Sequence, residues 1–63
     1  MIYAVLYLAD GTPDRIMEGT VAQLNVNARD GAVWKVVDRS VTRTQDAPEF
    51  SSLPMHPEFE AHS

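Results

Sequence analysis

The sequence predicts a small α+β domain with the element order strand, strand, helix, strand, in which one helix lies on a short sheet and a Pro-rich tail follows. Three observations carry this prediction: an apolar, strand-forming first segment, a helix-capping motif at residues 20–23, and three prolines after residue 47. Proline fixes its own φ and lacks a backbone N–H, so the tail has no room for a long regular element. We therefore divide the chain into a compact domain at residues 1–39 and an extended tail at residues 40–63.

The first two strands are predicted from residue type and turn chemistry. Residues 2–9 are rich in strand formers and apolar on both faces, which is typical of a central strand. Residues 10–14, Asp-Gly-Thr-Pro-Asp, favour a turn, because Gly tolerates positive φ and Asp bonds to nearby backbone. Residues 15–18 then indicate a short edge strand that stops at Gly19.

A helix is our preferred interpretation of residues 20–29. Thr20 and Gln23 have the S/T-x-x-Q spacing of a capping box, in which each residue bonds to the backbone of the other. Three apolar residues share one helical face, namely Val21, Leu24 and Ala28. The same arrangement points Val26 outward, where it is available for contacts.

A strand is the alternative for the same segment, since apolar and polar residues alternate from residue 22 to residue 29. Asp30-Gly31 would then close a two-residue hairpin, and the fold would be an all-β meander. That register opposes Asn27 to Trp34, which is a poor cross-strand pair for a half-buried sheet. We therefore prefer the helix.

The third strand is predicted at residues 32–38, which are apolar on both sides. One helix covers only one face of the sheet, so the other face needs cover from the tail or from a second subunit. Tyr3, Tyr7 and Trp34 are the aromatic residues that we assign to an oligomer or ligand face, with packing inside the monomer as the simpler interpretation.

Length and charge bound the class of protein. A chain of 63 residues buries only about 60% of the surface that its unfolded form exposes, which favours self-association. The absence of Cys excludes disulfides and suits a cytoplasmic protein, and no apolar run reaches the ~20 residues of a membrane span. Nine acidic residues against five basic ones disfavour nucleic acid and suit a partner with a basic protein surface.

The tail repeats one tripeptide, Pro48-Glu49-Phe50 and Pro57-Glu58-Phe59, and contains both phenylalanines of the chain. Large aromatic side chains normally supply the core, so the tail is expected to dock on its own sheet, on a sister copy or on a partner. The residues that we predict to bind a partner are Glu49, Phe50, Leu53, Met55, Glu58 and Phe59. A solvated tail is the remaining alternative.

No catalytic, cofactor or metal site is predicted. The serines have no recognised spacing to a His and an Asp, and no Gly-rich run precedes a helix with a Lys. His56, Glu58, Glu60 and His62 alternate near the terminus, but Pro57 restricts their backbone and they do not make a metal site. We expect a protein that is not an enzyme.

The predicted element order, with Asp10-Gly11-Thr12 at its first turn, resembles that of many short proteins of bacterial and phage origin, including antitoxin-like half-domains. The resemblance covers residues 2–38 and transfers no functional residue. By analogy, we predict a small protein-interaction module, such as a phage-encoded or mobile-element-encoded inhibitor of a host protein. The alternatives are a homo-oligomer that binds a small ligand between subunits and a purely structural self-assembling module.

Overall fold

The computed structural model describes residues 1–60 and confirms the α+β fold. Its sheet and helix occupy the predicted segments, whereas two short 3₁₀ turns lie in the tail. The elements are β1 (Ile2–Tyr7), β2 (Pro13–Gly19), α1 (Val21–Asn27) and β3 (Val33–Val36), followed by turns at Thr44–Asp46 and Phe50–Ser52. Because residues 21–27 are helical, the all-β meander is wrong.

The sheet has three strands in the order β2-β1-β3, and both pairs are antiparallel. β1 is therefore the central strand, as its apolar composition predicts, and β2 lies at an edge. β2 begins at Pro13, two residues before the predicted start, and Pro13 pairs with Tyr7 across an irregularity in the register. An edge position and a bulge are where a strand tolerates proline, which has no N–H to donate.

The helix α1 begins at the predicted capping box. Gln23 N donates to Thr20 Oγ1 at 3.2 Å, and Thr20 N donates to Gln23 Oε1 at 2.9 Å. The helix ends before Asp30 and Gly31, which both have positive φ. This Asp-Gly pair therefore makes the turn between α1 and β3, where the hairpin alternative would have placed two strands.

The two faces of the sheet carry separate apolar clusters. On the helix face, α1 packs against β1 and β3 through Ala4, Leu6, Leu24, Ala28 and Trp34. On the opposite face, Val5, Tyr7 and Val37 are buried by residues of the tail, namely Val41, Ala47, Phe50 and Leu53. We call this second surface the tail face. Its cover comes from the same chain, so the tail face gives no argument for a second subunit.

Candidate interaction surface and the docked tail

Lys35 fixes the tail on the tail face. Its side chain rises from β3 between the sheet and the tail, and the residue is only 3% exposed. Nζ donates to the carbonyl oxygens of Phe50 and Leu53, both at 2.6 Å, and lies 3.7 Å from the centroid of the Phe50 ring. A buried ammonium is unfavourable unless it is hydrogen-bonded, and two carbonyls and an aromatic ring satisfy that need here.

Two tyrosines of β1 hold the tail at further points. Tyr3 Oη donates to the carbonyl of Val41 at 2.5 Å, and Tyr7 Oη donates to that of Pro48 at 2.6 Å. The Tyr7 ring meets Phe50 edge to face, with centroids 5.4 Å apart. Burial raises the pKa of the Tyr7 phenol, so the hydroxyl stays protonated and keeps donating to the tail.

Asn25 fixes the end of the tail on the helix face. Its Oδ1 accepts from Trp34 Nε1 at 2.8 Å and from Glu60 N at 3.0 Å, and its Nδ2 donates to the Glu58 carbonyl at 3.1 Å. Asn25 is buried on α1, so these three bonds satisfy a polar side chain that would otherwise be costly to bury. One helical residue therefore links the core tryptophan to the last described turn of the tail.

Trp34 is also the aromatic contact for this end of the tail. The His56 ring lies 4.9 Å from the Trp34 ring between centroids, and the Phe59 ring meets Trp34 edge to face at 6.2 Å. Leu53 is on the tail face and His56 on the helix face, so the tail passes from one face to the other beside β3. The tail thus packs on both faces of the sheet.

The predicted partner-binding residues divide into two groups. Phe50, Leu53 and Phe59 are half-buried against the chain's own sheet and helix. Three others face solvent, namely Glu49, Glu58 and Met55, which is 52% exposed. The docked tail therefore exposes its acidic side chains and Met55 to solvent, while its aromatic side chains pack into the fold.

The structure does not bring Tyr3, Tyr7 and Trp34 together. Trp34 lies opposite Leu6 in the β1–β3 register, so its side chain is on the face of Leu6. The tyrosines alternate with Leu6 along β1 and point to the tail face. Tyr7 and Trp34 are both fully buried, so the expected shared aromatic surface is absent from the described part of the chain.

Sequence reasoning missed Asn25 and Lys35 as the residues that hold the tail. The signal for Asn25 is its position, because it completes the i, i+3, i+4, i+7 spacing of the helix core that runs from Val21 to Ala28. The signal for Lys35 is a lone charged residue within an otherwise apolar strand. Both are polar residues at core positions, and such residues need named partners.

Burial of Lys35 removes the only lysine from the side chains that a partner can contact. All nine acidic residues are exposed, and the exposed basic residues are four arginines. Two of these arginines are paired, Arg39 with Glu18 and Arg43 with Asp46. The other seven carboxylates form no ion pair within residues 1–60: Asp10, Asp14, Asp30, Asp38, Glu49, Glu58 and Glu60.

Within the histidine and carboxylate group near the terminus, His56 is hydrogen-bonded to the backbone of Glu58. His56 Nδ1 accepts from Glu58 N at 3.1 Å, which closes a short turn. Within residues 1–60, no three His, Asp or Glu side chains are grouped so as to hold a metal ion. His62 lies outside the described residues.

No protein-family model, no curated protein and no solved structure matches the chain. None of the helices in residues 1–60 has both the length and the apolar character needed to cross a membrane.

Proposed function

We propose that this protein is a small acidic interaction module that binds a protein with a basic surface and catalyses no reaction. The observation that carries the proposal is the charge of the surface, where nine exposed carboxylates face solvent with four arginines. Such a field accelerates encounter with a basic partner and disfavours nucleic acid. The single lysine is buried under the tail, where its ammonium is engaged by two carbonyls, so it does not contact a partner directly.

The docked tail supports the proposal because it holds charged residues at defined positions. Glu49 immediately precedes Phe50, whose backbone is bonded to Lys35, and the Glu58 carbonyl accepts from Asn25. Side chains on a fixed backbone lose less conformational entropy when they bind than those on a solvated tail. Met55 adds an exposed apolar side chain to the same segment.

Inhibition is the activity that we propose for such a module, acting in the cytoplasm and encoded by a phage or mobile element. A protein of this size inhibits by covering the working surface of a larger host protein. Acidic side chains at fixed positions can occupy a basic groove that would otherwise bind a nucleic acid or another anionic molecule.

A retention experiment tests the proposal. The immobilised chain is incubated with bacterial lysates, and retained proteins are quantified at low and at high salt. The matched comparison is a variant with Asp10→Asn, Asp38→Asn, Glu49→Gln and Glu58→Gln, which removes four exposed charges. We expect one basic protein, retained near one-to-one, lost in high salt and lost with the variant. Retention of no protein, or equal retention by the variant, would contradict the proposal.

Self-association stays a prediction that rests on chain length. A homo-oligomer at micromolar concentration would use a surface other than the tail face, for example one at the exposed Val26 or one at the exposed Val36. Sedimentation velocity over a hundredfold range of concentration measures this. A single species with the mass of one chain at every concentration would rule it out.

A further inference from the structure

A groove lies between the first turn of the sheet and the tail. It has a volume of about 440 Å³ and is lined by Asp10, Gly11, Pro13, Ala47, Pro48, Glu49, Phe50 and Ser51. One wall is the β1–β2 turn, and the other is the tail segment that Tyr7 and Lys35 hold in place. Gly11 has a φ of +90°, and a Cβ added there would lie 3.5 Å from Phe50 Cβ, so the two walls meet closely at this point.

The chemistry of the groove is apolar with an acidic rim. Pro13, Ala47, Pro48 and Phe50 supply apolar surface, and Asp10 and Glu49 supply two carboxylates. The lining contains no basic residue. Lys35, which lies over the Phe50 ring, donates to two tail carbonyls.

The Asp10 carboxylate is held in place and charged. Its Oδ1 accepts from Thr12 N at 2.9 Å, which fixes the side chain on the turn. Hydrogen bonds from the Thr12 backbone and then from its side chain lower the Asp10 pKa, so the group stays ionised at neutral pH. A fixed negative charge therefore borders an apolar surface.

We infer that this groove receives an arginine side chain of the protein partner. The aliphatic stem and flat guanidinium of arginine pack on proline and aromatic surface, and the guanidinium pairs with carboxylates. The two carboxylates are complementary to a cationic side chain, and the proline and aromatic lining favours the flat guanidinium of arginine over the compact, strongly hydrated ammonium of lysine. The inference rests on the proposed function, because it names the chemistry by which the basic partner is recognised.

NMR titration with N-acetyl-arginine amide tests the groove without the partner. N-acetyl-citrulline amide is the control, because it has the same shape without the charge. We expect the arginine compound to cause saturable shifts of the Gly11 and Ser51 amide signals, and the citrulline compound to cause none. Absence of saturable shifts, shifts of equal size with citrulline, or shifts confined to other parts of the chain would overturn the inference.

Two double variants locate the site. Asp10→Asn with Glu49→Gln removes both charges from the groove, whereas Asp38→Asn with Glu58→Gln removes two exposed charges elsewhere. Asp38 is a matched control because its Oδ1 accepts from Ser40 N at 2.8 Å, as Asp10 accepts from Thr12, and Asn preserves an acceptor at both positions. We expect the first variant to lose the arginine shifts and the second to keep them. Equal loss in both variants would overturn the inference.

The same variants separate this inference from the proposed function. Suppose that a basic protein is retained by the wild-type chain and equally by the Asp10 and Glu49 variant. The groove inference then fails while the proposed function stands. If the wild-type chain retains no basic protein, the proposed function fails. The titration decides separately whether the groove binds arginine.

Discussion

The Lys35 ammonium lies 3.7 Å from the centroid of the Phe50 ring and donates to the Phe50 carbonyl at 2.6 Å. One side chain of β3 thus contacts both the ring and the backbone of a residue fifteen positions later. This contact joins the sheet to the tail at the point where the tail forms one wall of the acidic groove. The arrangement makes the tail part of the folded structure, and its acidic residues part of a fixed surface.

Replacement of Lys35 by Met should destabilise the protein. The change keeps an apolar stem but leaves the Phe50 and Leu53 carbonyls without their donor, which we expect to cost about 1–3 kcal/mol. Urea denaturation measures the free energy of unfolding. Arg43→Met is the control, because Arg43 is exposed and makes a surface ion pair worth about 0–1 kcal/mol. Equal effects of the two changes would show that the buried lysine has no special role.

Replacement of Asn25 by Leu should also destabilise the protein, and by a different route. Trp34 Nε1 would lose its acceptor inside the core, and Glu58 and Glu60 would lose their contacts with the helix. We expect a cost of about 1–3 kcal/mol, measured by urea denaturation monitored through Trp34 fluorescence.

Asn27→Leu on the same helix is the control for Asn25. Asn27 is half-buried, but its side-chain bonds to Gln23 O and Arg15 are exposed to solvent, and substitutions at such sites usually change stability within about 0.5 kcal/mol. If the two variants unfold at the same urea concentration, Asn25 does not hold the tail.

Removal of the Thr20 cap tests whether the capping box stabilises α1. Thr20→Ala removes the acceptor for Gln23 N and should cost about 0.5–2 kcal/mol. Thermal unfolding followed by circular dichroism detects the change, with the exposed Thr42→Ala as control. A Thr20 variant as stable as the control would mean that the capping box contributes nothing to stability.

The free energy of unfolding should fall in acid, because the folded turns stabilise the ionised carboxylates of Asp10 and Asp38. Hydrogen bonds from Thr12 and Ser40 lower the pKa of Asp10 and Asp38 below their ordinary value of 3.8. A depressed folded-state pKa gives stability that is present above the unfolded pKa and lost as pH falls through the folded one. The wild-type chain should therefore lose stability below about pH 4 more steeply than a variant with Asn at both positions. Urea denaturation across pH measures this, and identical profiles would contradict it.

The elements of residues 1–36 were predictable because their signals are local. The capping box of Thr20 and Gln23 lies within one turn of helix, and the turn at residues 10–14 is specified by its own residues. The central position of β1 follows from its apolar composition. These features depend on neighbours in the sequence, which are visible without a structure.

The course of the tail was not predictable, because its partners are distant in sequence. Asn25 contacts residues 33 and 35 positions away, and Tyr7 bonds to a carbonyl 41 positions away. The face occupied by Trp34 depends on the β1–β3 register, which no local pattern specifies. The candidate groove combines a turn and the tail, so only Glu49 and Phe50 of its lining were among the predicted site residues.

Truncation of the tail tests the central claim, that the tail is part of the fold and presents its acidic residues from fixed positions. A chain ending at Thr44 loses Phe50, Phe59 and the tail groups bonded to Lys35 and Asn25. A chain ending at Glu60 is the control, because it keeps Phe50, Phe59 and the tail groups bonded to Lys35 and Asn25. Amide hydrogen exchange of β1 and β3 is the measurement. We predict that exchange protection is lost in the shorter chain and kept in the longer one. Full protection in the chain ending at Thr44 would contradict the account.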